Sequence, residues 1–240
     1  MASKYQEWAD LFKFKPKADN LESIRKARGH SLVGSKVQRM SDASAKKVNI
    51  DNYRVEIMKL PTGTDNTSLF KYICINLSDF LDPNRATFDG YTSNDASDWK
   101  DSGAQLGCLM LFKIPLGGPI HEQAAVIVSK TDQTSWIFSP VTIGAATPGE
   151  HPVSGNRHFG ISEGGSTANV KATIFTRAAD RAIDNYLPPY DTVYNGGHKL
   201  WVGFQKKVNE YINNNGGQSR IIEPETYRPK WTDADVQAVL

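Results

Sequence analysis

The feature that most limits this chain is a succession of short apolar runs, each cut off by turn-forming residues, which points to a fold built on a sheet. Tyr53 to Leu60 sets Tyr53, Val55 and Ile57 against Arg54, Glu56 and Met58 before Pro61-Thr62-Gly63 ends the run. A side-chain period of two is the pattern of a half-buried strand. Leu69 to Leu77 follows a polar turn and reads as the second arm of a hairpin. Leu106 to Ile114, Gln123 to Lys130 and Thr134 to Ile143 have strand length as well, and the breaker-rich Pro115-Leu116-Gly117-Gly118-Pro119 separates the first two of them. Asn156 to Ile161 and Val170 to Thr176, with Gly164-Gly165 between them, form a further hairpin. The expectation is an α+β fold: an antiparallel β-sheet or barrel-like sandwich of six or seven strands, with helices at the N- and C-terminal ends.

Those end helices are read from a period of 3.6. Tyr5, Trp8, Leu11 and Phe12 share one face of a short helix that Pro16 stops, and residues 18 to 28 offer a second, closed by Gly29. The polar stretch from Ser31 to Lys47 is a connector with room for a helical turn near Ser41. Leu200, Trp201, Phe204, Val208, Tyr211 and Ile212 make the strongest helical pattern, over Lys199 to Asn214, and Gly216-Gly217 follow as its C-cap. Its apolar face should cover the sheet. Thr232 with Asp235 opens a last short helix. Ser78 to Gly103 is rich in Asp, Ser and Asn and reads as a long surface loop.

Charge divides the chain in two. Residues 1 to 50 hold 11 Lys/Arg against 5 Asp/Glu, and the remaining residues hold 17 against 21. A basic helical N-terminal segment (1–50) therefore precedes an α+β globular domain (51–240). The basic segment could meet an anionic ligand, a protein partner or another copy of the chain, although a solvated helical face is the commoner origin of such an excess. No apolar run approaches the roughly 18 residues that would span a bilayer. The opening Met-Ala-Ser-Lys-Tyr-Gln-Glu-Trp has neither the apolar core nor the cleavage site of a signal peptide, so the expectation is cytoplasmic synthesis, with any export by a route that needs none. Cys74 and Cys108 each sit inside an apolar run and are expected to be buried free thiols.

Three segments carry residues with chemical potential. Gly160-Ile161-Ser162-Glu163-Gly164 matches the nucleophile-elbow pattern in form, but a turn and a strand follow where the motif needs a helix, so coincidence is the better reading. His151-Pro152-Val153-Ser154-Gly155-Asn156-Arg157-His158 gathers two His and an Arg beside turn formers. A His can move protons near neutral pH and an Arg can grip a phosphate or carboxylate. Strand alternation would put Arg157 with Phe159 on one face and His158 on the other. Thr176-Arg177-Ala178-Ala179-Asp180-Arg181 closes the next strand, and Arg157 with Asp180 is as plausible as a structural ion pair as it is as catalytic machinery. The candidate set is His151, Arg157, His158 and Asp180 for catalysis and Arg177 and Arg181 for binding. The five His form no metal-ligand spacing and no phosphate-binding glycine loop is present, so neither a metal nor a cofactor is expected.

His151 to Gly160, Phe175 to Arg181, Leu200 to Gly217 and Arg228 to Leu240 resemble an uncharacterised bacterial module found at the ends of RHS-repeat and similar toxin-associated proteins. Ala178 and Ala179 depart from it, standing where a Gly would be expected. The resemblance implies an effector-type or toxin-associated protein, with a site built on the loop and its Arg/Asp partner and acting on an anionic substrate. The alternative is a non-enzymatic binding or assembly protein that docks through its basic N-terminal helices.

Overall fold

The computed structural model describes residues 3–17, 21, 35–101, 103–117, 120–143, 150–183 and 190–240. Nine strands form one antiparallel sheet: β1 (Lys36–Val37), β2 (Asn49–Lys59), β3 (Thr87–Gly90), β4 (Leu109–Gly117), β5 (Ile120–Thr131), β6 (Ser135–Thr142), β7 (Val153–Glu163), β8 (Ala172–Ala182) and β9 (Gln218–Tyr227). Their order is β3-β4-β5-β6-β7-β8-β2-β9, with β1 paired to β6 off that path. The described helices are α1 (Ala9–Lys13), α2 (Asn66–Ile75), α3 (Ser93–Lys100), α4 (Tyr190–Asn214) and α5 (Ala234–Gln237). The sheet is thus larger than the six or seven strands expected and is a single open layer rather than a sandwich.

Side-chain alternation divides the sheet into two differently covered faces. On the inner face Tyr53, Val55 and Ile57 of β2, Phe138 of β6, Phe159 of β7 and Ile174 of β8 share one core with α2, α3 and α4. The long helix contributes Leu200, Trp201, Phe204, Val208 and Ile212 at the spacing read from the sequence. On the outer face Ile50, Ile137 and Ala179 pack against Trp8, Leu11 and Phe12 near the N-terminus and Val236 and Val239 near the C-terminus. Trp8, Leu11 and Phe12, the apolar residues of the first helical stretch, are therefore packed on the chain's own sheet. The second helix expected there, over residues 18 to 28, falls almost wholly outside the described residues.

Two stretches differ from expectation for the same local reason. Leu69 to Leu77 is not a strand, because Asp65 caps a helix there: its Oδ1 accepts the Ser68 amide at 2.7 Å, and Leu69, Ile73 and Leu77 then fall on one buried side. The presumed loop from Ser78 to Gly103 holds β3 and α3, the latter capped by Thr92, whose hydroxyl oxygen accepts the Asp95 amide. Helices are consequently internal as well as terminal. α4 begins at Tyr190, nine residues before the expected start, and ends as foreseen before Gly216, whose φ of 79° lets the Gly217 amide return to the Ile212 carbonyl at 3.0 Å. The cap of α5 is Asp233 rather than Thr232. Cys74 and Cys108 are both buried and neither is in a disulfide.

Candidate functional site

A cavity of about 360 Å³ lies between the first half of α4 and the inner face of the sheet. Its walls are largely apolar, with Phe112, Val126 and Phe138 from the sheet and Leu200 and Trp201 from the helix. Gly196 and Gly197 complete the helical side, and a Cβ added to either would meet nothing within 4 Å. Asn49, Asp51, Arg157 and Asp180 bring polar groups to the wall.

Strand register explains how those four meet. Arg157 on β7 and Asp51 on β2 are both paired with Ala178, on opposite sides of β8. The intervening side chain is only a methyl group, so the guanidinium can cross the strand. Its Nη2 donates to Asp51 Oδ2 at 2.8 Å and its Nη1 to Thr176 Oγ1 at 3.2 Å, and it lies 4.4 Å from the ring centre of Trp201. One row along, Asn49, Asp180 and Gly155 form a second line across the same strands. Asn49 Nδ2 donates to Asp51 Oδ2 at 2.8 Å and to Asp180 Oδ2 at 2.9 Å, joining the two carboxylates through one amide group. Gly155 has a φ of 141°, and a Cβ there would stand 2.3 Å from the Ala179 carbonyl oxygen, so close passage of β7 over β8 at this row requires glycine.

The electrostatics follow from burial. Asp180 lies out of water, and that desolvation, together with the neighbouring Asp51 charge, lifts its pKa from 3.8 to about 7 although Arg157, Asn49 and Arg228 pull the other way. Tyr53, whose hydroxyl is 3.1 Å from His198 Nδ1, has its ionisation pushed up by burial and by Asp51. Among the described residues, three oxygens of the cluster have no hydrogen-bond partner: Asn49 Oδ1, Asp51 Oδ1 and Asp180 Oδ1.

The six residues singled out from the sequence separate into two groups. His151, Arg157 and Asp180 line the cavity. His151 is held by its own turn, with its Nδ1 accepting the Val153 amide at 3.1 Å, and burial lowers its pKa to about 4, so it stays neutral. Arg157 and Asp180 do not form the direct pair considered from the sequence; Asp51 takes the guanidinium. His158, Arg177 and Arg181 belong to the other face of the sheet. Arg177 Nη2 binds the Asp10 carboxylate at 2.6 Å and lies 3.2 Å from His158 Nδ1, tying α1 to the sheet, and burial with that adjacent cation depresses His158 to about 4. Arg181 donates to the carbonyls of Ala45 and Met40, each at 3.0 Å, and covers the Trp231 ring. These contacts anchor chain segments. Ser162 is exposed near the end of β7, with a turn and β8 after it and no helix. Among the described residues no group of three or more His, Cys, Asp and Glu is arranged to hold a metal, and no helix is long and apolar enough to cross a membrane.

Asn49 and Asp51 were missed in the sequence reading, although a signal was there. They continue the parity of Tyr53, Val55 and Ile57, which makes them polar residues at core-facing positions of a strand.

No family model matches this chain. No curated protein matches it either. Solved structures that share part of its backbone course include the crystal structure of Ara h 8.0201, with a TM-score of 0.44 and 13% identity over 69% of this chain and 99% of that one. The NMR solution structure of KanY protein has a TM-score of 0.42 and 8% identity over 68% of this chain and 97% of that one.

Proposed function

We propose that this protein binds a small, mainly apolar molecule in the cavity between α4 and the inner face of the sheet. The observation that carries this reading is the cavity itself. Its 360 Å³ falls in the range of small-molecule sites, and apolar walls with a few fixed polar groups are the usual composition of one. The glycine pair supports it further, because Gly inside a helix costs about 1 kcal/mol relative to Ala and both glycines line the cavity. The effector-type, toxin-associated setting remains a proposal drawn from the resemblance alone. Docking through the N-terminal helices has less support, since Trp8, Leu11 and Phe12 are already buried against Ile50, Ile137 and Ala179.

The test uses the neutral fluorophore N-phenyl-1-naphthylamine, which brightens in apolar surroundings. The wild type is expected to enhance its emission saturably. The double variant Gly196→Leu/Gly197→Leu, which favours the helix but fills the cavity, is expected to abolish that enhancement while keeping the wild-type circular dichroism. No enhancement by the wild type, or equal enhancement by the filled variant, would refute the reading.

A further inference from the structure

We propose that the ligand of this cavity carries a protonated amine, its ammonium seated against Asn49, Asp51 and Asp180 and its apolar body against Trp201, Phe112 and Phe138. This rests on the small-molecule reading above and specifies the ligand class.

The first argument is the disposition of the cation already present. Arg157 is committed to Asp51, to Thr176 and to the face of Trp201, so its charge is already matched by a carboxylate before any ligand arrives. Among the described residues no Lys or Arg forms an ion pair with Asp180, and its only hydrogen bond on the side chain comes from the neutral Asn49 amide. Arg157 and Arg228 both act on Asp180 through their charge, but Arg157 is paired with Asp51 and neither forms an ion pair with Asp180.

The second argument counts donors and acceptors. Asn49, Asp51 and Asp180 are 5%, 2% and 7% exposed, all three contribute to the cavity wall, and each keeps one oxygen without a donor. Buried acceptors left in that state are costly. A carboxylate or phosphate ligand would add acceptors beside three oxygens that already lack a donor. A hydroxyl would supply a single donor. An ammonium brings three donors together with the missing positive charge. The aromatic lining suits the apolar body, since Trp201, Phe112 and Phe138 offer it large apolar surfaces beside the polar end of the cavity.

The experiment compares three ligands with one skeleton, 2-(1-naphthyl)ethylamine, 2-(1-naphthyl)ethanol and 3-(1-naphthyl)propanoate, each displacing N-phenyl-1-naphthylamine at pH 8. The amine is expected to bind at least tenfold more tightly than the alcohol and the carboxylate more weakly than either. Asp180→Asn is expected to bring the amine to the affinity of the alcohol. An alcohol equal to the amine in the wild type, a carboxylate that binds best, an unchanged amine preference in Asp180→Asn, or no displacement by any of the three would overturn the amine assignment while probe binding still upholds the cavity. Failure of the probe itself to bind the wild type would instead remove the reading on which the assignment rests.

Discussion

Replacing Asp180 by Asn should make the protein more stable, and increasingly so as the pH rises. In the folded chain the Asp180 carboxyl keeps its proton up to about pH 7, whereas an unfolded chain releases it near 3.8. A carboxylate raised in this way contributes a cost that is absent below the unfolded pKa and complete above the folded one. At about 1.4 kcal/mol per unit, the difference between 3.8 and 7 corresponds to a penalty of about 4 kcal/mol at pH 8 and about 1.5 kcal/mol at pH 5. Asn is close in shape, has no charge to desolvate, and brings an amino group that can serve the partnerless Asn49 Oδ1 and Asp51 Oδ1. Guanidinium chloride unfolding of both proteins at pH 5 and pH 8 measures the effect. The gain should grow by about 2 to 3 kcal/mol between the two conditions. A gain that does not change with pH, or a loss at pH 8, would show that Asp180 is not the uncompensated acid inferred from its contacts.

Two further perturbations probe the supports of the cavity. Arg157→Met leaves the Asp51 carboxylate, 3% exposed, without its cation, and should cost about 3 to 5 kcal/mol in equilibrium unfolding; a loss below about 1 kcal/mol would mean that water already screens the pair. Trp8→Ala removes a side chain that is 3% exposed and donates its indole N–H to the Asp51 carbonyl at 2.9 Å, so a loss of about 3 to 5 kcal/mol is expected by thermal or chemical denaturation, whereas an effect under about 0.5 kcal/mol would show that the N-terminal residues do not cover the sheet in solution.

The parts of the fold legible in the sequence are those whose local pattern agrees with their tertiary surroundings. β4, β5 and β6 are apolar runs with breakers at their ends, and β7 with β8 is a hairpin around Gly164-Gly165, so the chain states them directly. β9 could not be seen this way. It alternates only between exposed and half-buried residues, since it adds to β2 at the sheet edge through backbone hydrogen bonds and buries no row of apolar side chains. α2 was misread because a nine-residue apolar run fits either period, and the deciding signal was the Asp65 and Ser68 pair at its start rather than the run itself. The early start of α4 was hidden by Gly196-Gly197, which argue against a helix on propensity and are tolerated inside one here. For the site, the sequence placed Arg157 and His158 on opposite faces, as found. It could not show that Asp51, more than a hundred residues earlier, would be brought opposite Arg157, because that depends on β2 inserting beside β8 and on the small Ala178 between them.

The polar cluster can be understood through what it costs without a ligand. Each buried acceptor lacking a donor is worth about 1 to 3 kcal/mol of lost stability, and there are three of them, one on Asp180 itself. Against a total stability of about 5 to 15 kcal/mol for a typical domain, that is a large local deficit, offset by the aromatic core on the same face of the sheet. The deficit also fixes the sign of the coupling between binding and folding. A ligand that supplies donors to the folded cluster finds no such arrangement in the unfolded chain, so it binds one state only and raises stability in proportion to the logarithm of its concentration over its dissociation constant. An amine should therefore stabilise the wild type more than an alcohol of the same size, and the margin should vanish with Asp180, because the excess arises from the unpaired oxygens and not from the apolar walls that both ligands share.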